Sequence, residues 1–119
     1  MLLVEDEPGL RETAERALRM NGYRVLTATN GADAFELFAA HRDEIDVVLS
    51  DVVLPGMDGI ELLARVRGSY GPVPFVLTSG YSGQRLIAES LDPAIPFIRK
   101  PWTLDELLAV VRRAHAGKH

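Results

Sequence analysis

The chain has 119 residues, is 47% hydrophobic and 25% charged, carries a formal net charge of -4 and contains no cysteine. These values fit one globular domain and exclude a second domain, wholesale disorder, disulfides and thiolate metal sites. A pI near 5.3 argues against a nucleic-acid surface, no apolar run approaches the ~20 residues of a membrane span, and Glu5-Asp6-Glu7, coming after only four apolar residues, speaks against a signal peptide.

Residues 1–4 form an apolar run, read as a first strand, that stops at carboxylates. Pro8 suits a first helical turn, Leu10, Ala14, Ala17 and Leu18 share one helical face, and Asn21-Gly22 is the stop. Residues 23–28 alternate as a second strand. Residues 32–40 carry Phe35, Leu37 and Phe38 at helical spacing. Residues 45–49 are apolar apart from Asp46, as expected of a strand covered on both faces. Pro55-Gly56-Met57-Asp58-Gly59 is a turn. Ile60, Leu63, Ala64 and Val66 predict a third helix, broken near Gly68 and Gly71. Residues 73–77 read as a fourth strand, 84–91 as a short helix closed by Pro93, and 95–98 as a brief fifth strand. The last helix opens on a capping box of Thr103 and Glu106, and its apolar stripe is Leu104, Leu107, Leu108 and Val111.

Strands alternating with helices predict a doubly wound α/β fold, with parallel strands, right-handed crossovers and helices on both sheet faces. Ligands of such sheets bind at the strands' carboxyl ends. The polar clusters all fall there. Glu5-Asp6-Glu7 follows the first strand, Ser50-Asp51 the third, Thr78-Ser79-Gly80 the fourth and Arg99-Lys100-Pro101 the fifth.

If the first and third strands are neighbours, the carboxylates of Asp6 and Asp51 converge, with Glu5 close by. Like charges in one pocket repel, and a hard divalent cation such as Mg2+, which takes oxygen ligands and keeps several waters, compensates best. Acidic residues at strand ends also simply cap helices or face solvent, and Glu5-Asp6-Glu7 alone would read that way. The hydroxyl at the fourth strand and the Lys100 ammonium at the fifth shift the balance. Together with the carboxylates they make a site for a phosphoryl group, with a carboxylate as nucleophile.

The pattern Leu3-Val4-Glu5-Asp6-Glu7, then Asp51 with Leu54-Pro55-Gly56-Met57-Asp58-Gly59, then Ser79-Gly80, then Lys100-Pro101 resembles the receiver domain of two-component signalling proteins (response regulators), over nearly the whole chain. The resemblance implies a flavodoxin-like five-stranded parallel sheet of order 2-1-3-4-5 with five helices, as a single receiver domain over residues 1–119 with no output domain. It implies Asp51 as phosphoacceptor from the phosphohistidine of a histidine kinase or histidine phosphotransfer protein. Such a domain is not an enzyme beyond its own phosphotransfer and autodephosphorylation. Mg2+ is expected on Asp6, Asp51 and the backbone carbonyl of Val53, with Glu5 acting through a metal-bound water. Lys100 is expected to contact the phosphoryl group, and the Lys100-Pro101 bond to be cis.

Counting along the fourth strand favours Ser79 as the switch hydroxyl, with Thr78 the alternative. Period-two alternation points them to opposite faces, so only one can reach Asp51. Phe97 occupies the family's switch-aromatic position, and a plain core role fits it equally. The resemblance implies that the surface of helix four, strand five and helix five is the output, and this surface could also serve a dimer. It implies, too, that decay of the phosphoaspartate is tuned two places after the acceptor and the switch hydroxyl, here Val53 and Tyr81. Neither is a good base, so the phosphoaspartate is expected not to be unusually short-lived.

Trp102 reads as a docking hot spot or, preferably, as a hydrophobic staple onto Leu107 ahead of the Thr103 cap. Leu10 and Thr13 lie on the family's kinase-docking face, although Leu10 fits the core as well. His41, His115 and His119 share no ligand spacing and read as solvated. A phosphatase with an aspartate nucleophile would need a second aspartate where Val53 stands, and a flavodoxin's phosphate loop would be repelled by Glu5-Asp6-Glu7. The alternative kept is a receiver-like interaction module that signals without phosphorylation. A cytoplasmic setting is expected, without membrane insertion or direct nucleic-acid contact. Residues 77–82 look like receivers fused to hybrid histidine kinases, and the abrupt start at Met1 fits a piece of a longer protein.

Overall fold

Short runs rich in Leu, Val, Ile and Phe can be buried on both faces, and such runs make up most of the central sheet. In the computed structural model, which describes residues 1–80 and 95–116, the strands are β1 (Leu2–Val4), β2 (Leu26–Ala28), β3 (Val48–Asp51), β4 (Phe75–Ser79) and β5 (Phe97–Arg99). They form a single sheet in the order β2-β1-β3-β4-β5, parallel at every pairing. The expected order 2-1-3-4-5 is therefore the observed one. Four helices lie among the described residues: α1 (Pro8–Met20), α2 (Gly31–His41), α3 (Gly59–Tyr70) and α4 (Leu104–Ala116). The helix expected over 84–91 falls outside the described residues, so α4 is the last helix of the sequence reading.

Strand alternation divides the core into two layers. Leu2, Val4, Val48, Phe75 and Leu77 pack with Ala34 and Phe38 of α2 and with Leu62 and Val66 of α3. Their neighbours Leu3, Leu49, Val76 and Ile98 point the other way, onto Ala14 and Leu18 of α1 and Leu107, Val110 and Val111 of α4. Each such side chain contributes roughly 1.5–3 kcal/mol when fully buried, so both faces hold the sheet rigid beneath its carboxyl edge.

The helix ends follow local chemistry. The Asn30 side chain accepts from the Asp33 N–H at 2.8 Å, and Asp58 accepts from Glu61 N–H at 2.8 Å. Thr103 and Glu106 form the expected reciprocal box, at 2.9 Å and 3.1 Å. Gly22, with φ +91°, takes the left-handed turn after α1.

Three strands end later than their apolar runs suggest. Asp51 pairs with Thr78 and Ser79 with Arg99, because the ladder is made by the backbone and does not stop where side chains become polar. Leu104 is exposed rather than part of the α4 stripe, which runs through Leu107, Val110, Val111 and Ala114. Trp102 packs on that cluster from just before the Thr103 cap, as the staple reading requires. No helix among the described residues is long and apolar enough to cross a membrane.

Candidate functional site

Level strand ends deliver the charged residues to one rim. Val4 lies opposite Ser50 in the ladder, so Glu5 and Asp6, just beyond β1, emerge beside Asp51 at the end of β3. Lys100 follows β5 directly, and its N–H donates to the Ser79 carbonyl at 2.7 Å. One ligand oxygen each from Glu5, Asp6 and Asp51 lie within 4.8 Å of one another, with Glu5 and Asp51 buried and Asp6 exposed.

Lys100 is the counter-ion of this cluster. Its Nζ donates to Asp51 Oδ2 at 2.7 Å and lies 3.0 Å from Glu5 Oε1. The second Glu5 oxygen accepts from the Glu7 N–H at 3.2 Å, and Asp51 Oδ1 accepts from the Val53 N–H at 3.3 Å. Burial pushes the Glu5 carboxyl above its ordinary value, the Lys100 hydrogen bond opposes this, and the Asp51 charge adds to it. Burial alone would lower the Lys100 ammonium, but its bonds to Asp51 and Glu5 outweigh that and raise it. The ammonium therefore stays charged at neutral pH.

The donors are all oxygens, one of them exposed enough to leave room for water. That is the donor set of a hard, six-coordinate cation such as Mg2+. The Glu5 contact with Lys100 was not foreseen from the sequence, which reads Glu5 only as acting through a metal-bound water. Arg11 was missed as well: its guanidinium donates to the Glu5 carbonyl at 3.1 Å and braces the acidic turn from α1.

Ser79 and Thr78 are both buried at the end of β4. Thr78 lies opposite Asp51 in the ladder. Ser79 is one residue further, next to Lys100, and its hydroxyl has no partner among the described residues. Phe97 is 44% exposed, so the plain core reading fails for it: at β5 it lies at the sheet's edge. Val53 is also exposed, while its neighbours Val52 and Leu54 anchor the loop in the core. Tyr81 lies outside the described residues. The Lys100-Pro101 bond is cis. His115 is not simply solvated, since Nε2 lies 2.6 Å from Asp46 Oδ2 and its ring meets Tyr23 edge-on. His41 is half-buried with Nδ1 2.6 Å from Glu44 Oε2, and His119 is outside the described residues.

Residues 1–112 match the family model of the response regulator receiver domain. The chain is 39% identical over 114 residues to the sensor kinase CckA of Brucella abortus, a match covering 94% of this chain and 12% of that protein. It is 36% identical over 113 residues to the response regulator MprA of Mycobacterium leprae, covering 94% and 49% respectively. Among solved structures, a receiver domain protein from Clostridium thermocellum superimposes with a TM-score of 0.90 at 22% identity, over 98% of this chain and 94% of that one. The receiver domain of the hybrid histidine kinase CckA gives a TM-score of 0.77 at 33% identity over 96% of each chain. The chain thus spans about half or less of the length of these curated relatives.

Proposed function

Because the chain belongs to the response regulator receiver domain family of two-component signalling, we propose that it accepts a phosphoryl group on Asp51 from a histidine kinase or histidine phosphotransfer protein. The observation that carries this reading is the Lys100 ammonium 2.7 Å from the Asp51 carboxylate, within a cluster of three carboxylates.

Asp6, Asp51 and the Val53 carbonyl would hold Mg2+, with Glu5 beyond a water. When bound, the ion neutralises phosphoryl oxygens that the carboxylates would otherwise repel. An Asp51 oxygen attacks phosphorus in line, a P–O bond forms as the P–N bond of the phosphohistidine breaks, and the electron pair returns to the imidazole nitrogen, which takes up a proton. Lys100 holds the nucleophile in place before transfer and follows the phosphoryl charge after it.

Transfer adds about two negative charges at the end of β3. Ser79, whose hydroxyl has no partner among the described residues, donates to a phosphoryl oxygen, and Phe97 turns inward from its exposed position. The face so altered includes the groove between β5 and α4 lined by Phe97, Arg99, Glu106, Val110 and Arg113. Partner recognition, and dimerisation if it occurs, would use this face. The switch is a shift between states already accessible. The likeness to two CckA sequences supports a place in a phosphorelay, as part of a hybrid kinase or as its counterpart.

Incubation with a small phosphodonor and Mg2+, followed by Trp102 fluorescence, tests the reading. A Mg2+-dependent change is expected in the wild type and none on phosphodonor addition in Asp51→Asn. An equal phosphodonor response in Asp51→Asn would overturn it.

A further inference from the structure

The loop from Val52 to Asp58 carries the backbone carbonyl assigned to the cation, and two glycines from different helices press on it. Gly59 opens α3 and Gly31 opens α2, and both are buried. A Cβ on Gly59 would lie 2.2 Å from the Asp51 carbonyl oxygen and 3.0 Å from Val52 Cα. A Cβ on Gly31 would lie 2.5 Å from the Met57 carbonyl oxygen and 2.8 Å from Met57 Cβ. Real Cβ atoms do not approach backbone this closely, so something would have to move.

The two contacts act at opposite ends of the loop. At its start, Gly59 lets α3 begin directly on the peptide of the phosphoacceptor, and its N–H donates to the Val52 carbonyl at 2.8 Å. At its end, Gly31 lets the first turn of α2 close onto Met57, just before Asp58 caps α3. Between them, Val52 and Leu54 are buried in the core, and Val53 alone of these three is exposed. Gly59 belongs to the sequence pattern that follows Asp51, whereas Gly31 lies 20 residues from it and carries no such signal. The backbone φ values of the two are not in the left-handed region: the glycines with positive φ are Gly22, Gly56 and Gly71. Space, not backbone conformation, therefore requires glycine at 31 and 59.

We infer that Gly31 and Gly59 are positioning residues: they clamp the 52–58 loop so that the Val53 carbonyl and Asp51 present their oxygens to one cation. This rests on the Mg2+ reading above. A methyl group at Gly31 would push the Met57 end of the loop outward and spoil the site without touching any ligand.

The test compares Gly31→Ala with Gly22→Ala. Gly22 has φ +91° and open space around it, so its alanine variant is destabilised by backbone strain far from the loop and serves as the control for general destabilisation. Mg2+ affinity is read by calorimetry, and stability by thermal melting without Mg2+. Gly31→Ala is expected to bind Mg2+ about tenfold more weakly, the low end of what disturbing a metal site's supporting groups costs, while Gly22→Ala melts early but binds as the wild type does. Should Gly31→Ala not fold by circular dichroism, Met57→Gly removes the side chain that faces Gly31 from the loop side and is expected to weaken Mg2+ binding with an unchanged spectrum. Wild-type affinity in the folded variant, or an equal loss in Gly22→Ala, would overturn the clamp while leaving the Mg2+ reading intact. Failure of the wild type to bind Mg2+ would overturn both.

Discussion

Glu5 and Lys100, which directly follow the two strands that flank β3 and β4, are joined by an ion pair of 3.0 Å between Oε1 and Nζ. The same ammonium reaches Asp51 at 2.7 Å, so one cation holds together two buried carboxylates that would otherwise repel. This bridge links the end of β1 to the end of β5 and makes charge balance the organising feature of the site.

Lys100→Met should leave Glu5 and Asp51 facing each other uncompensated. We expect a loss of about 2 kcal/mol in denaturant unfolding without Mg2+, the scale of stranding buried charged groups. Saturating Mg2+ should restore much of it, and more than it adds to the wild type. A variant equally stable with and without Mg2+ would contradict this.

The pH dependence has a definite sign. Glu5 titrates above its ordinary 4.5 in the folded protein, so the native state holds the proton more tightly and stability falls as pH rises through the range above 4.5. Lys100 titrates above its ordinary 10.5. Its contribution is complete below that pH and is lost as pH climbs through the folded value. Without Mg2+, the difference in unfolding midpoint between Glu5→Gln and wild type should therefore grow in favour of the variant from pH 4.5 to 7. A constant difference would show that the Glu5 charge carries no cost.

Ser79 and Thr78 separate by what their removal does. The Ser79 hydroxyl is buried and has no partner among the described residues, so Ser79→Ala should leave unphosphorylated stability unchanged or raise it by up to about 1 kcal/mol. It should also abolish the phosphorylation-dependent change at Phe97, followed with a spectroscopic label there. If Thr78→Ala abolishes that change and Ser79→Ala does not, the hydroxyl assignment moves to Thr78.

Val53, two residues after Asp51, carries an exposed apolar side chain. Val53→Asn offers an amide that can orient an attacking water, and decay of the phosphoaspartate should quicken by up to about tenfold, the value of one well-placed hydrogen bond. An unchanged decay rate would show that water reaches the phosphorus by another route.

Much of this was legible in sequence because it depends on local signals. The apolar stretch Val47-Val48-Leu49 ahead of Asp51 marked a doubly covered strand, and Thr103 with Glu106 marked the start of the last helix, observed as a reciprocal box. Strand ends were less legible: Ser50, Thr78 and Ser79 extend their ladders although nothing apolar marks them. What sequence could not supply was contact between distant residues. Nothing near Glu5 indicates that it reaches Lys100, and nothing near Gly31 indicates the Met57 backbone pressed against it. Phe97 was ambiguous for a similar reason: at an edge strand an aromatic fits the core pattern, and only the assembled sheet leaves it exposed.

The most direct measurement is tandem mass spectrometry of the protein after mixing with a phosphorylated histidine phosphotransfer protein and Mg2+. We predict one phosphoryl group, located on Asp51, with none transferred when Mg2+ is chelated. A phosphoryl group found on another residue, or transfer undiminished in Asp51→Asn, would contradict the account.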